Sequence, residues 1–220
     1  QTLALDWDLG LLIGYFLAEG NIAFHGATPG FIETVHAIEE RYFANDIIRI
    51  CEEKFGITGS IRLKLTGKKT KEGCWVVRIC SSILSKLFRG LLYPEEYTAK
   101  AKHIPWSLLG GPQDFIAGVV EGYWRGDGHY DGSRVISSSR KQLVEWAQRA
   151  LLILGEASGL SFEQNDYLGR WRLRYASKAS CAALRLIDKK LYARIRVIES
   201  IHYEDLVYDF EVDHPEHLFK

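Results

Sequence analysis

The sequence of 220 residues lacks several features that would assign it to a common class. It contains no methionine, no run of about 18 apolar residues and no net charge. Without such a run, we expect neither a membrane-spanning helix nor a secretory signal. The four cysteines form no C-x-x-C pair and have no histidines at zinc-finger spacing, so neither a disulfide framework nor a structural zinc is expected. These absences favour a reducing, cytoplasmic compartment. The missing initiator Met favours a piece of a longer protein.

The neutral net charge argues at first against a nucleic-acid partner. The charge is uneven, however, because acids outnumber bases by seven to three in residues 191–220. Residues 1–190 therefore carry a modest positive excess. Apolar residues make up 47% of the chain, which is ordinary for a globular protein with a packed core. Any affinity for DNA must depend on where the basic side chains lie rather than on their number.

One pattern occurs twice, in residues 5–20 (LDWDLGLLIGYFLAEG) and 115–128 (FIAGVVEGYWRGDG), at an offset of 108 residues. In each copy a small residue recurs at every fourth position, followed by an acid and a glycine. The small residues are Gly10, Gly14 and Ala18 before Glu19, and Gly118, Gly122 and Gly126 before Asp127. Glycine inside a helix costs about 0.8–1 kcal/mol relative to alanine, but a row of small residues lets two helix backbones approach closely. We predict that the helices pack side by side and bring Glu19 and Asp127 together.

A second repeat, GCWVVRICS at 73–81 and GRWRLRYAS at 169–177, extends the duplication. Each half is predicted to contain an acid-tipped helix, two strands, a second helix, a strand hairpin and a short third helix. The first pairs of strands are placed at about 21–26 and 31–37, and at about 129–131 and 133–138. The second helices are placed at about 40–55 and 139–154, and the hairpins at 58–67 with 72–80 and 159–165 with 169–176. The predicted domains are 1–92, a linker at 93–113, a second half at 114–192 and a tail at 193–220.

Basic side chains alternate with apolar ones in both predicted hairpins, so each sheet should present one apolar face and one basic face. Arginine on such a face suits phosphates and guanine edges in a wide groove that admits a two-stranded ribbon. The alternative is an ordinary solvated outer face. The candidate DNA-binding residues are Arg62, Lys64, Lys68, Lys69, Lys71, Arg78, Arg134, Arg170, Arg172 and Arg174.

The segments LIGYFLAEG (12–20) and VEGYWRGDG (120–128) resemble the two signature helices of LAGLIDADG homing endonucleases. The resemblance covers about residues 5–190. It implies an α+β fold of two αββαββα halves related by a pseudo-twofold axis, whose sheets form a saddle over double-stranded DNA. Such a chain would act as a monomer with an internal pseudo-dimer.

The same resemblance implies that Glu19 and Asp127 are catalytic and bind divalent metal, Mg²⁺, together with the backbone carbonyls of Ala18 and Gly126. Double-stranded DNA would be the substrate, and each acid would serve one strand. The family's accessory Lys and Gln residues have no clean match in this sequence. Three residues near suitable strand ends are candidates for that role: Lys141, Arg140 and His36.

The tail segment VYDFEVDHPEHLF (207–219) resembles the penultimate splicing block of inteins. The resemblance implies that His217 assists the final splicing step. As it stands, the sequence has no N-terminal splicing domain and no terminal His-Asn, so we do not expect it to splice. An ordinary edge strand with an acidic turn is the alternative for this segment. Two other functions remain open: a non-catalytic nucleic-acid binder or RNA maturase on the same fold, and a protein-splicing element that carries the endonuclease as cargo.

Overall fold

The computed structural model describes residues 3–25, 28–65, 73–93, 101–164, 169–175, 184–187, 190–193, 195, 197–200, 202 and 204. Within these ranges, no helix is both long and apolar enough to cross a bilayer. The expected basic hairpin tip with Lys68, Lys69 and Lys71 lies outside the described residues, as does His217.

The first half contains three helices and one four-stranded antiparallel sheet. Its elements are α1 (Trp7–Glu19), β1 (Gly20–His25), β2 (Thr28–Ala37), a 3₁₀ turn (Ile38–Glu40), α2 (Arg41–Phe55), β3 (Ser60–Leu65), β4 (Gly73–Ile79) and α3 (Ser82–Leu92). The strand order is β1-β2-β4-β3. The Asp6 side chain caps α1 by accepting a hydrogen bond from the Leu9 amide. Gly56, at φ 64°, ends α2 in the left-handed conformation that glycine adopts without strain.

The second half repeats this arrangement after a 3₁₀ turn at Trp106–Gly110. Its elements are α4 (Gln113–Asp127), β5 (Gly128–Tyr130), β6 (Arg134–Ser138), α5 (Lys141–Ile153), β7 (Ser158–Gln164) and β8 (Gly169–Tyr175). The strand order β5-β6-β8-β7 matches that of the first sheet position by position. The duplication predicted from the two repeats is therefore confirmed, and the element bounds agree with the predicted ones to within a few residues.

The two halves differ after their second hairpins. A short helix was predicted in both, and α3 provides it in the first half. In the second half, the described residues after β8 form an antiparallel hairpin of β9 (Leu184–Ile187) and β10 (Lys190–Ala193). Leu184 and Leu186 alternate with other residues at the period of a strand rather than of a helix. Residues 184–187 and 190–193 are therefore strands and not part of the predicted helix, while residues 176–183 lie outside the described ranges.

Helices α1 and α4 lie against each other at the centre of the molecule, with their backbones in contact. A Cβ atom added at Gly10, Gly14, Gly118 or Gly122 would lie closer than 3.0 Å to a backbone carbonyl oxygen of the opposite helix. The side chains that flank this row, including Leu11, Leu12, Tyr15, Val119 and Tyr123, are almost fully buried. The predicted packing of the two small-residue rows is confirmed. It fixes the end of α1 beside the end of α4.

Candidate active site

Glu19 and Asp127 are the last residues of α1 and α4. Gly126, just before Asp127, lies against the other helix: a Cβ atom added there would be closer than 3.0 Å to the Ala18 Cβ and 3.6 Å from the Glu19 Cγ. Both acids are followed immediately by a glycine that begins a strand, Gly20 or Gly128. The structure thus brings the two predicted acids together, at the junction between the paired helices and the two sheets.

The surroundings of the two acids disfavour their ionised forms. The pKa of Glu19 is raised to about 7, mainly by burial and also by the charge of Asp127, while the Lys102 ammonium acts to lower it. Burial also raises the pKa of Asp127 to about 6, again against the effect of Lys102. Two partly buried carboxylates of like charge, placed this closely, provide strong attraction for a cation.

Lys102 is a component of this site that the sequence did not predict. It lies in the segment that was interpreted as a linker, yet it is only 8% exposed. Its Nζ donates to the carbonyl oxygens of Phe16 and Leu17 at 3.1 Å and of Ala18 at 3.4 Å. The Phe16 carbonyl also accepts from the Gly20 amide that caps α1. A cation is favourable at this end of a helix, where the helix dipole is negative. No local pattern in AKAKHIPW separates Lys102 from its neighbour Lys100, so only the tertiary fold could identify it.

Burial of Lys102 also affects its own ionisation. Desolvation lowers the pKa of Lys102 to about 8, while the charges of Asp127 and Glu19 act to raise it. The ammonium is therefore stabilised mainly by the acids and by the end of the helix. The Ala18 carbonyl, proposed from the sequence as a metal ligand, already accepts from Lys102 and retains a second lone pair.

Three predicted DNA-binding residues share the outer face of the first sheet. Arg62 and Lys64 on β3 and Arg78 on β4 lie on the face opposite the buried residues Val77 and Ile79. Arg78 is already paired with Glu33, at 2.8 Å, and its guanidinium stacks on the Phe31 ring. Within the described ranges, Arg62 and Lys64 have no ion-pair partner. They are free to meet an anion.

The outer face of the second sheet carries Arg170, Arg172 and Arg174, as the alternation predicted. Three arginines side by side would repel one another without counter-charges. Glu163 and Asp131 lie between them at distances of 2.8–3.7 Å. The protein itself supplies the counter-charges for these arginines.

Arg134 was grouped with these arginines, but the structure places it on the other face of the sheet. It is the strand partner of the buried Tyr175, its Nη1 donates to Glu121 at 2.6 Å, and its guanidinium stacks on the Trp124 ring. The adjacent residues Val135 and Ile136 are both apolar and both buried, so the sequence left the direction of this strand ambiguous. Arg134 does not lie on the basic outer face, and its role in DNA binding stays a prediction.

Comparison with known families decides which family has this architecture. The model of the LAGLIDADG-like domain matches the chain twice, at residues 6–92 and at 114–194. The chain belongs to the LAGLIDADG family. The resemblance seen in the two acid-tipped helices is thereby confirmed, and the two matches reproduce the internal duplication.

Solved structures of LAGLIDADG homing endonucleases have the same fold. I-DmoI, in a crystal structure with DNA and Mn, is 14% identical, with a TM-score of 0.57 over 78% of this chain and 90% of that one. I-WcaI, bound to its DNA recognition sequence, is 16% identical, with a TM-score of 0.53 over 79% of this chain and 77% of that one. The predicted α+β fold with its pseudo-twofold duplication is confirmed.

A curated relative is the DNA-directed RNA polymerase subunit Rpo1C of Methanocaldococcus jannaschii. It is 23% identical over 212 residues, which represent 95% of this chain and 23% of that subunit. This LAGLIDADG chain therefore spans about a quarter of the length of the curated relative it matches.

The residues at the helix ends fit a divalent cation that is shared with a ligand. Within the described parts of the chain, no group of three or more His, Cys, Asp or Glu residues could enclose a metal. Mg²⁺, however, commonly takes one or two carboxylates and completes its shell with substrate phosphates and water. The partly buried pair Glu19 and Asp127 meets that requirement with hard oxygen donors. The site suits a metal that binds together with a phosphate ligand.

The three accessory candidates lie in different settings. His36 is buried against Tyr15 and Phe43, its Nε2 contacts the Thr34 Oγ1 at 2.9 Å, and burial lowers its pKa to about 4. It therefore belongs to the core of this LAGLIDADG fold as a neutral ring. Lys141 pairs with Glu145 at 3.1 Å, one turn along α5. Arg140 directly precedes α5. Unlike these three candidates, Lys102 hydrogen-bonds directly to the carbonyl oxygens at the end of α1.

Proposed function

We propose that this chain is a divalent-metal-dependent endonuclease that cuts both strands of double-stranded DNA at a specific site. The observation that carries the proposal is the meeting of two partly buried carboxylates, one from each half, at the ends of α1 and α4. Both sheets begin at this point, and each presents arginines on its outer face. A duplex lying along the two sheets would pass its backbone over Glu19 and Asp127. The DNA complexes of I-DmoI and I-WcaI support this arrangement by analogy of fold.

The chemistry follows from the charges at the site. Phosphodiesters resist hydrolysis because their negative charge repels hydroxide and because the leaving alkoxide is poor. A divalent metal, when bound, supplies Lewis acidity toward the phosphate and stabilises the departing oxygen. Glu19 and Asp127 hold the positive charge in place, and we propose Mg²⁺ as the natural ion with the Ala18 and Gly126 carbonyls nearby. I-DmoI has been crystallised with DNA and either Mn or Ca.

Lys102 contributes in two ways. Its ammonium fixes the last turn of α1 through three carbonyl oxygens, which sets the position of Glu19. It also offsets the repulsion between the two carboxylates, because its charge lowers the pKa of both. Both acids are therefore closer to full ionisation at neutral pH than they would be without it.

We further propose that the endonuclease is part of an intein. The tail segment at 207–219 resembles a splicing block, and the match to the RNA polymerase subunit is confined to about a quarter of that longer protein. A match of this extent is what an element inserted into a host protein would produce. Sequencing the reading frame on both sides of the chain tests this point: an intein has host-protein sequence on both flanks.

The endonuclease is tested with purified chain and a library of duplex sites, with Mg²⁺ or with EDTA. We expect double-strand breaks at one site in Mg²⁺ only. Glu19→Gln and Asp127→Asn should abolish double-strand cutting while DNA binding persists. Glu53→Gln is the matched control, since it also removes one negative charge. Glu53 lies on α2 and pairs with Arg49, which contacts Asp8 at the opposite end of α1 from Glu19.

Two outcomes would reject the proposal. If Glu19→Gln and Asp127→Asn cut as well as the unmodified chain, the carboxylate pair is not the catalytic centre. If the chain cuts no site but binds structured RNA more tightly than duplex DNA, it is a maturase-like binder on the same fold.

A further inference from the structure

The outer face of the second sheet carries a row of side chains with alternating charge, which we call the charge ladder: Arg170, Glu163, Arg172, Asp131 and Arg174. Glu163 pairs with Arg170 at 2.8 Å and with Arg172 at 3.1 Å. Asp131 pairs with Arg172 at 3.7 Å and, through two parallel hydrogen bonds of 2.9 and 3.0 Å, with Arg174. Each acid thus bridges two arginines, and the central Arg172 lies between both acids.

The ladder is held in place by further contacts. Ser133 Oγ donates to Asp131 at 3.1 Å and accepts from Arg174 at 3.2 Å. The hydrogen bond from Arg170, with support from Arg172, lowers the pKa of Glu163, so this acid stays ionised at neutral pH. Arg172 also approaches His129 Nε2 at 3.4 Å. The guanidinium groups are therefore fixed in position before any ligand arrives.

The first sheet has no equivalent ladder. Within the described part of the chain, Arg62 and Lys64 have no acid within ion-pair distance, and Arg78 alone is paired, with Glu33. The sequences between the strands of each hairpin also differ in charge. The sequence at 66–72 is TGKKTKE, with three lysines and one acid, whereas 165–168 is NDYL, with one acid and no base. The two halves therefore have the same fold, but on the described sheet faces the unpaired basic side chains lie mainly in the first half.

Free and paired cations contribute differently to DNA binding. Each cation that neutralises a phosphate releases counterions and makes the affinity fall with salt, with a slope of about 0.9 per contact. A guanidinium that is already paired with a carboxylate contributes little binding free energy when it exchanges that carboxylate for a phosphate. It still has N–H donors that can meet the neutral acceptors of guanine in the major groove without losing its acid.

We propose that Glu163 and Asp131 are specificity-determining residues, which suppress phosphate-driven binding by the second half and reserve its arginines for base edges. This inference rests on the proposed function in DNA binding. Sequence-independent affinity then comes mainly from the first half, through Arg62 and Lys64. The second half adds affinity only where the base sequence offers matching acceptors.

The test measures the affinity of the full chain for a short duplex of random sequence, in EDTA, between about 50 and 200 mM salt. Glu163→Gln and Asp131→Asn should bind this duplex several-fold more tightly at low salt. Each freed arginine that contacts a phosphate should steepen the salt slope by about 0.9, which is about a 3.5-fold larger loss of affinity across this range. Thermal unfolding of each variant checks that the exposed substitutions leave the fold intact.

Matched variants separate the ladder from a general effect of charge. Glu53→Gln changes the net charge equally, but its partner Arg49 lies on α2 and retains Asp8, so the slope should not change. Arg62→Gln should lower the slope by about 0.9, whereas Arg172→Gln should leave it nearly unchanged.

The outcomes distinguish this inference from the proposed function. Tighter, more salt-dependent binding by Glu163→Gln but not by Glu53→Gln supports the inference. Unchanged binding by Glu163→Gln and Asp131→Asn, or an equal gain from Glu53→Gln, overturns the inference while DNA binding stands. If neither the unmodified chain nor any variant binds duplex DNA at low salt, the proposed function and this inference fall together.

Discussion

The contact between α1 and α4 makes a quantitative prediction for the substitution Gly14→Ala. A methyl group at Gly14 would lie closer than 3.0 Å to backbone atoms of Val119, Gly122 and Tyr123. Overpacking by one methyl group costs about 1–3 kcal/mol. We take about 3 kcal/mol here, because the clashing atoms belong to the backbone and cannot move aside as a side chain can. The better helix propensity of alanine offsets about 1 kcal/mol of this cost. The net loss of about 2 kcal/mol should lower Tm by about 4–8 °C for a chain of this size.

The matched control is Gly90→Ala on α3. Gly90 is exposed, and a Cβ atom there would have no neighbour within 4 Å. Only helix propensity changes, so we expect a gain of about 1 kcal/mol and a Tm higher by about 2–4 °C. Scanning calorimetry of both variants in EDTA measures the difference without any DNA target. If Gly14→Ala is as stable as Gly90→Ala, the backbones of α1 and α4 are not in contact and the reasoning fails.

The same substitution has a second, catalytic readout. Separating α1 from α4 also separates Glu19 from Asp127, and a displacement of about 1 Å can cost about 100-fold in rate. We therefore expect Gly14→Ala to cut its DNA site far more slowly than the unmodified chain, while Gly90→Ala cuts at the normal rate. Equal cutting rates for the two variants would mean that the acids do not depend on this contact.

Two further predictions concern the ionisable groups at the helix ends. The pKa of Glu19 is raised from 4.5 to about 7, so its ionised form destabilises the folded protein above pH 7, and this penalty disappears as the pH falls toward 4.5. At about pH 8 in EDTA, Glu19→Gln should therefore have a higher Tm than the unmodified chain, and the difference should shrink toward about pH 5. A lower Tm at pH 8 would contradict this prediction. Lys102→Gln removes the charge that lowers the pKa of both acids, so the variant should cut DNA more slowly and its pH–rate profile should move to higher pH. An unshifted profile would restrict Lys102 to a purely structural role.

Much of the fold was predictable because its signals are local and occur twice. The small-residue rows, the hairpin alternation and the glycines after each acid all recur in register, and the structure confirms the helices and strands that they predicted. The alternation in GRWRLRY gave the correct face for Arg170, Arg172 and Arg174. It could not reveal Glu163 and Asp131 beside them, because Glu163 lies on β7 and Asp131 in the connection between β5 and β6.

The features that were missed depend on distant parts of the chain. Lys102 acquires its role from the end of α1, more than eighty residues earlier in the sequence. The face on which Arg134 lies could not be predicted, because two consecutive apolar residues follow it. The hairpin of β9 and β10 has no counterpart in the first half, so the duplication could not predict it.

The joint between α1 and α4 has a consequence for how such proteins diversify. The residues that hold the halves together are small and lie along one ridge, whereas the residues on the outer sheet faces take no part in that ridge. Substitutions on a sheet face can accumulate without disturbing the joint. A half with an intact ridge could also be exchanged for the corresponding half of a relative. Chimeric chains of this kind would inherit their ability to fold from the ridge and their choice of sequence from the separate sheets.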